Sequence, residues 1–124
     1  MTIHASAEDY LETILILSNR IGAVRSIDIV NELSYSKPSV SIAMKNLREN
    51  GYIKMDAGGY ITLDPSGRPI AEKIYERHTL FSNWLANLGV DSKIAAEDAC
   101  RIEHVISDES FAALKKHVIE NNEL

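Results

Sequence analysis

Three side chains late in the sequence, Cys100, Glu103 and His104, could hold a metal ion. Their spacing of i, i+3 and i+4 sets thiol, carboxylate and imidazole on one face of a helix. Each has a plainer reading when taken alone. A lone cysteine is usually a small buried hydrophobe, and a Glu-His pair is usually surface. Within one turn, however, they are three metal-ligand types converging. Asp9 and Glu12 form a second acidic pair, i and i+3 in the first helical stretch. Alone, they read as a solvated face with a capping acid. His78 lies inside Glu76-Arg77-His78-Thr79-Leu80 and alone is more often a satisfied or exposed histidine than a ligand.

The elements that must position these groups follow from periodicity and punctuation. Ser6 caps a first helix carrying Tyr10, Ile14 and Leu17 on one stripe to about Arg20, with Gly22 as its stop. Ser26 is expected to cap a short helix with Ile27, Ile29, Val30 and Leu33. Ser34-Tyr35-Ser36 is a turn, and Ser36 caps a third helix with Pro38 in its first turn, where the missing N–H costs nothing. That helix carries Val40, Ala43, Met44 and Leu47 and ends at Asn50-Gly51. A hairpin follows, Tyr52–Met55 and Tyr60–Leu63 around Asp56-Ala57-Gly58-Gly59. A long helix opens at Asp64-Pro65-Ser66-Gly67 and runs to about Leu88. Another starts at Asp91 or Ser92 and continues to about Ile106, and Ser107-Asp108-Glu109 starts the last. The fold class is mainly α with a small β-hairpin: a winged helix-turn-helix over 1–73 and a helical metal-binding and dimerisation domain over 74–124.

In a helix-turn-helix the second helix enters the major groove N-terminus first. Its first turn here is Ser36-Lys37-Pro38-Ser39-Val40-Ser41, and hydroxyls with free N–H groups suit phosphate and base-edge contact. Lys45 and Arg48 follow on the exposed side, and Lys54 sits in the wing. The net charge of −5, taken whole, argues against a nucleic-acid partner. Yet six positive residues face four negative ones between Ser34 and Lys73, against five and nine from Glu76 onward. A basic middle suits a polyanion and an acidic remainder suits cations. The competing reading is a winged helix used for protein contact. The N-terminus has no basic region followed by an apolar stretch, so no signal peptide is expected. No apolar run is long enough to span a membrane, and a single cysteine rules out an intrachain disulfide framework. A cytoplasmic protein is the simplest expectation.

The chain resembles the diphtheria-toxin-repressor family of metal-dependent regulators, particularly its short manganese-responsive branch. The likeness runs from Glu8-Asp9-Tyr10-Leu11-Glu12 to the last helix, and its most specific stretch is Glu97 to Glu109 with Cys100-Arg101-Ile102-Glu103-His104 at its centre. Ser36-Lys37-Pro38-Ser39-Val40-Ser41 and Tyr75-Glu76-Arg77-His78 match as well. The resemblance implies metal ligands at Asp9, Glu12, His78, Cys100, Glu103 and His104, and every position holds a competent donor. The set is a hybrid. Asp9 and Glu12 follow the manganese-responsive branch, whereas Cys100 follows the iron-responsive branch. The ancillary iron-branch site would need Ser82 and Ala96 besides His78, so none is expected. Ile42 replaces a polar amide of the iron-responsive members, which leaves apolar contact with a thymine methyl at that position. The additional barrel-like domain of longer members is not expected here.

The resemblance implies a repressor that binds an operator in double-stranded DNA as a homodimer and senses Mn(II) or Fe(II). Carboxylates favour Mn(II) and thiolate favours Fe(II), and the ligand number is compatible with two ions sharing carboxylates. Leu80, Phe81, Trp84, Leu85 and Leu88 form an apolar stripe on the long helix that is expected to serve dimerisation, the alternative being packing on the helices that follow. Two other readings stay open at this stage: a metal-independent winged-helix regulator, and a metal-dependent hydrolase. The hydrolase lacks an HExxH pattern, a phosphate loop and a nucleophile elbow.

Overall fold

The computed structural model describes residues 5–121, which form two compact units divided between Lys73 and Ile74. In the first unit, α1 (Ala5–Ile21) already contains Ser6, a helical residue and not the expected cap, and it turns Leu11, Ile14, Leu15 and Leu17 inward at helical spacing. Gly22 ends it in the left-handed region at φ 83°, a conformation glycine adopts without the Cβ penalty. α2 spans Ser26–Leu33. Ser26 is its first helical residue and not its cap, contrary to expectation. Arg25 holds the extended flanking position instead, and its N–H donates to the Asp28 carboxylate at 2.8 Å. Asp28 three residues on thus does what a capping-box acid does. Ser34 closes α2 at φ 58°, its N–H donating to the Val30 carbonyl at 2.9 Å.

Ser36 caps α3 (Lys37–Glu49), its Oγ accepting from the Ser39 N–H at 3.2 Å. Val40, Met44 and Leu47 bury one face of α3 against Ile29 of α2 and Ile14 of α1. Burying each such side chain stabilises by roughly 1.5–3 kcal/mol. The wing consists of β1 (Ile53–Met55) and β2 (Ile61–Leu63), antiparallel with Lys54 opposite Thr62. Its turn is tied by Asp56 Oδ1, which accepts from the N–H groups of Gly58 and Tyr60, both at 2.9 Å. Ile61 also donates to the Val24 carbonyl at 2.7 Å, so the segment before α2 joins the wing as a third short strand partner.

α4 runs from Arg68 to Asn87. It starts where Gly67 passes close to the main chain of Tyr52. A Cβ at Gly67 would lie 2.2 Å from the Tyr52 carbonyl oxygen, well inside contact distance and against backbone that cannot swing away. Gly67→Ala is therefore expected to destabilise the first unit by roughly 1–3 kcal/mol, as overpacking does. Thermal unfolding measures it, and a melting temperature equal to wild type would contradict the close approach.

In the second unit, Asp91 caps α5 (Ser92–Ile102), its carboxylate accepting from the Lys93 and Ile94 N–H groups at 3.1 and 3.4 Å. Ser107 caps α6 (Asp108–Glu120), accepting from Ser110 at 3.1 Å. α5 stops four residues before its expected end near Ile106. Val105 and Ile106 both donate to the Ile102 carbonyl, at 3.1 and 3.2 Å, so the chain tightens into a turn after Ile102. Leu80 and Phe81 of α4 pack with Ala99 and Phe111 in this unit's own core, the two phenyl rings 5.9 Å apart edge to face. Trp84 and Leu85 are half-buried, and Leu88 is exposed. Two of the five stripe residues, Leu80 and Phe81, are thus buried by the helices that follow, and Trp84 packs against them. Among the described residues no helix is long and apolar enough to cross a membrane.

Candidate metal centre and nucleic-acid interface

Within the second unit, His78 comes from α4, Cys100 from α5, and Glu103 and His104 from the turn after it. Glu103 keeps right-handed helical dihedrals at φ −58° and ψ −24° as the C-cap. The expected i, i+3, i+4 convergence therefore survives although the helix proper has ended. The Glu103 side chain is fully buried. Its Oε2 lies 2.9 Å from His78 Nδ1, and its Oε1 lies 3.3 Å from His104 Nε2. A donor atom from each of Cys100, Glu103 and His104 falls within 4.8 Å of the others. Cys100 is exposed, and His104 is nearly covered.

A carboxylate taken fully out of water must be compensated, or it costs several kcal/mol. Here Oε1 sits beside His104 Nε2 yet accepts no hydrogen bond. Two ligands at right angles on an ion with bonds of about 2.1 Å stand about 3 Å apart, so the two atoms are spaced as neighbours on one cation would be. The donor set fits a divalent transition metal: imidazole and thiolate suit iron, and carboxylate suits manganese.

In the first unit, α1 carries Asp9 and Glu12 one turn apart. Asp9 is half-buried and Glu12 is only 7% exposed. The solvated-face reading of this pair therefore fails for Glu12.

On α3, Lys37, Pro38, Ser39, Ser41, Ile42, Lys45 and Arg48 are all exposed, as are Ser36 before it and Lys54 in the wing. Ile42 is 62% exposed. The Ser36 hydroxyl is engaged locally, donating to Ser39 Oγ at 2.8 Å besides capping the helix. Lys54 Nζ lies 3.6 Å from the Asp64 carboxylate, which the Ser66 N–H and this lysine hold below the usual carboxylate range. Ser26, Ile27 and Val30 of α2 line a shallow cleft with Lys37 and Ser41 of α3. Sequence reasoning missed Arg25, whose guanidinium lies 4.2 Å from the centre of the Tyr60 ring and donates to its hydroxyl at 2.8 Å. That contact joins the start of α2 to the wing across 35 residues, and no local pattern announces it. Arg77 was missed as well: it is a buried cation bound to the turn that carries Glu103.

A winged reading head and a metal-donor cluster in one chain are the parts of a transcription regulator that answers to a metal ion. Comparison with known proteins agrees. Residues 2–60 match the iron dependent repressor N-terminal DNA binding domain, and residues 64–121 match the iron dependent repressor metal binding and dimerisation domain. The chain belongs to the iron-dependent repressor family, whose members are metal-dependent transcriptional regulators and not enzymes. It is 36% identical over 106 residues to the transcriptional regulator MntR of Salmonella typhimurium, covering 86% of this chain and 68% of that protein. An HTH-type transcriptional regulator of Methanocaldococcus jannaschii is 34% identical over 112 residues, covering 89% of this chain and 90% of that one. Among solved structures, the manganese regulator SloR superposes with a TM-score of 0.80 at 30% identity, covering 95% of this chain. A manganese-dependent transcriptional repressor in complex with manganese gives 0.77 at 27% identity over 90% of this chain. The chain spans about half of those two structures, 54% and 52% of their lengths.

Proposed function

We propose that this chain is a metal-dependent repressor that binds an operator in double-stranded DNA as a homodimer, in the cytoplasm, when loaded with Mn(II) or Fe(II). The observation that carries the reading is the buried Glu103 carboxylate set between two imidazoles. His78, Cys100, Glu103 and His104 of the second unit would hold the ion together with Asp9 and Glu12 of α1. When bound, it supplies a positive charge that several anionic donors can share. Six donors suffice for one ion with a filled shell or for two ions sharing carboxylates. The carboxylate majority favours Mn(II), as do the manganese regulators among the similar solved structures, while Cys100 draws the preference toward Fe(II). Metal loading is the proposed trigger for operator binding. The exposed face of α3 then meets the major groove through Ser39, Ser41 and Ile42, with Lys37, Lys45, Arg48 and Lys54 on phosphates. Ser36 and Pro38 set the start of that helix. The exposed remainder of the α4 stripe, with Leu88 at its end, is assigned to dimerisation. Coupling between metal and DNA is expected to be about 1–3 kcal/mol.

The test is selection from a pool of random duplex DNA by the apo chain, with Mn(II) and Fe(II) added separately under anaerobic conditions. Metal-dependent enrichment of a two-fold symmetric site is the expected result. Its half-sites should lie about 34 Å apart, or a multiple of that. Equal enrichment by the apo protein would leave the donor cluster as scaffold. No enrichment at all would return the winged helix to protein recognition.

A further inference from the structure

Arg77 precedes His78 on α4 and is only 3% exposed. A buried guanidinium needs compensation, and the hydrogen-bond partners described for it lie in the turn after α5 and at Asp108, the first residue of α6. Nη1 donates to the Glu103 carbonyl at 3.1 Å and to the Ile106 carbonyl at 2.7 Å, and Nη2 donates to Asp108 Oδ1 at 2.5 Å. The guanidinium carbon also stands 5.3 Å from the centre of the Phe111 ring. The Glu103 carbonyl, at the end of α5, has no helical donor and lies at the negative end of the helix dipole, and the Ile106 carbonyl lies outside both helices. Glu103 is therefore gripped twice by neighbouring residues: His78 meets its carboxylate at 2.9 Å, and Arg77 holds its main chain.

We propose that Arg77 is a positioning residue for the metal centre. By tying two carbonyls and one carboxylate to a single planar fork, it sets the turn that presents Glu103 and His104 before any ion arrives. The proposal rests on the metal-site reading given above. A guanidinium keeps its charge at every accessible pH and offers donors in a fixed fork. A lysine ammonium is a point charge and cannot reproduce that arrangement. Groups that orient metal ligands from behind typically change metal affinity by 10–100-fold when removed.

The experiment is calorimetric titration of Mn(II) alone into the full apo chain and three variants. Arg77→Lys is expected to weaken Mn(II) binding by about 10-fold and to speed amide exchange at Val105 and Ile106 in the apo protein. Asp108→Asn removes one anchor of the fork at an exposed carboxylate, so the unit folds, and a smaller loss in the same direction is expected. Val118→Ala removes a buried side chain of α6 away from the turn. It should lower the melting temperature and leave Mn(II) affinity unchanged. Wild-type affinity in Arg77→Lys, or an equal loss in Arg77→Lys and Val118→Ala, would overturn the positioning role while leaving the metal site standing. Failure of the wild-type chain itself to bind Mn(II) would overturn the site and this role together.

Discussion

Glu103→Gln is expected to lower Mn(II) affinity by more than about 100-fold, beyond what changing an outer-shell partner costs. The substitution keeps shape and volume while removing the charge of the one fully buried carboxylate at the candidate centre. A neutral amide oxygen is a weak ligand, and the amide nitrogen would meet an imidazole or the ion. The metal-free fold should respond in the opposite direction. An ionised carboxylate in the protein interior carries a desolvation penalty that nearby imidazoles offset only in part. The apo variant should therefore melt at or above the wild-type temperature. With Mn(II) at 100 times its dissociation constant, the wild type should gain about 2.7 kcal/mol of stability and the variant almost none. Opposite signs in the two states separate a lost ligand from a damaged fold. Equal metal-induced stabilisation of wild type and variant would remove Glu103 from the site.

The double substitution Lys45→Ala with Arg48→Ala is expected to weaken operator binding about 100-fold at moderate salt, with the loss spread evenly over operator variants. Both side chains are exposed on α3, and neither lies in the core, so the fold should be untouched. Each phosphate contact releases about 0.9 of a counterion, so the slope of log affinity against log salt should become shallower by about 2 for each reading head. A binding isotherm series from low to high salt reads this directly. An unchanged slope would show that the two cations do not face the backbone. Ile42 serves as the contrast: its replacement should change which bases are preferred and leave the slope alone.

Most of the fold could be read from the sequence because its boundaries are set locally. Ser36, Asp91 and Ser107 cap the helices they precede, and Gly22, Gly51 and Gly89 take the left-handed conformation just beyond helix ends. Hydrophobic spacing placed Ile14, Met44 and Leu47 inside. What escaped was decided by distant residues. The apolar pattern of Ile102, Val105 and Ile106 continues the helical period, yet α5 ends at Ile102, where Arg77, from 26 residues upstream of Glu103, takes carbonyls of the following turn. The wing's link to α2 through Arg25 and Tyr60 is equally non-local. At the candidate centre, spacing alone united Cys100, Glu103 and His104. The inclusion of His78 comes from resemblance alone, because no local spacing links it to Glu103, whose Oε2 lies 2.9 Å from its Nδ1. The burial of Glu12 had no signature, since an acidic pair at i and i+3 on a helix normally faces water. The apolar pattern of the α4 stripe does not divide interface from internal packing, and Leu80 and Phe81 take the internal role against Ala99 and Phe111.

The hydroxyl of Ser36 does two jobs that pull the residue choice apart. It closes the start of α3, and it sits where a polyanion is expected to approach. Aspartate caps a helix about as well as serine and adds favourable charge to the positive end of the dipole. On stability alone it would be an equal or better residue. Facing phosphates, the same carboxylate would repel what the helix is meant to grip. This position belongs with the sites where a protein holds less stability than it could in order to keep its function, and screens that select only for a higher melting temperature would be drawn to it first.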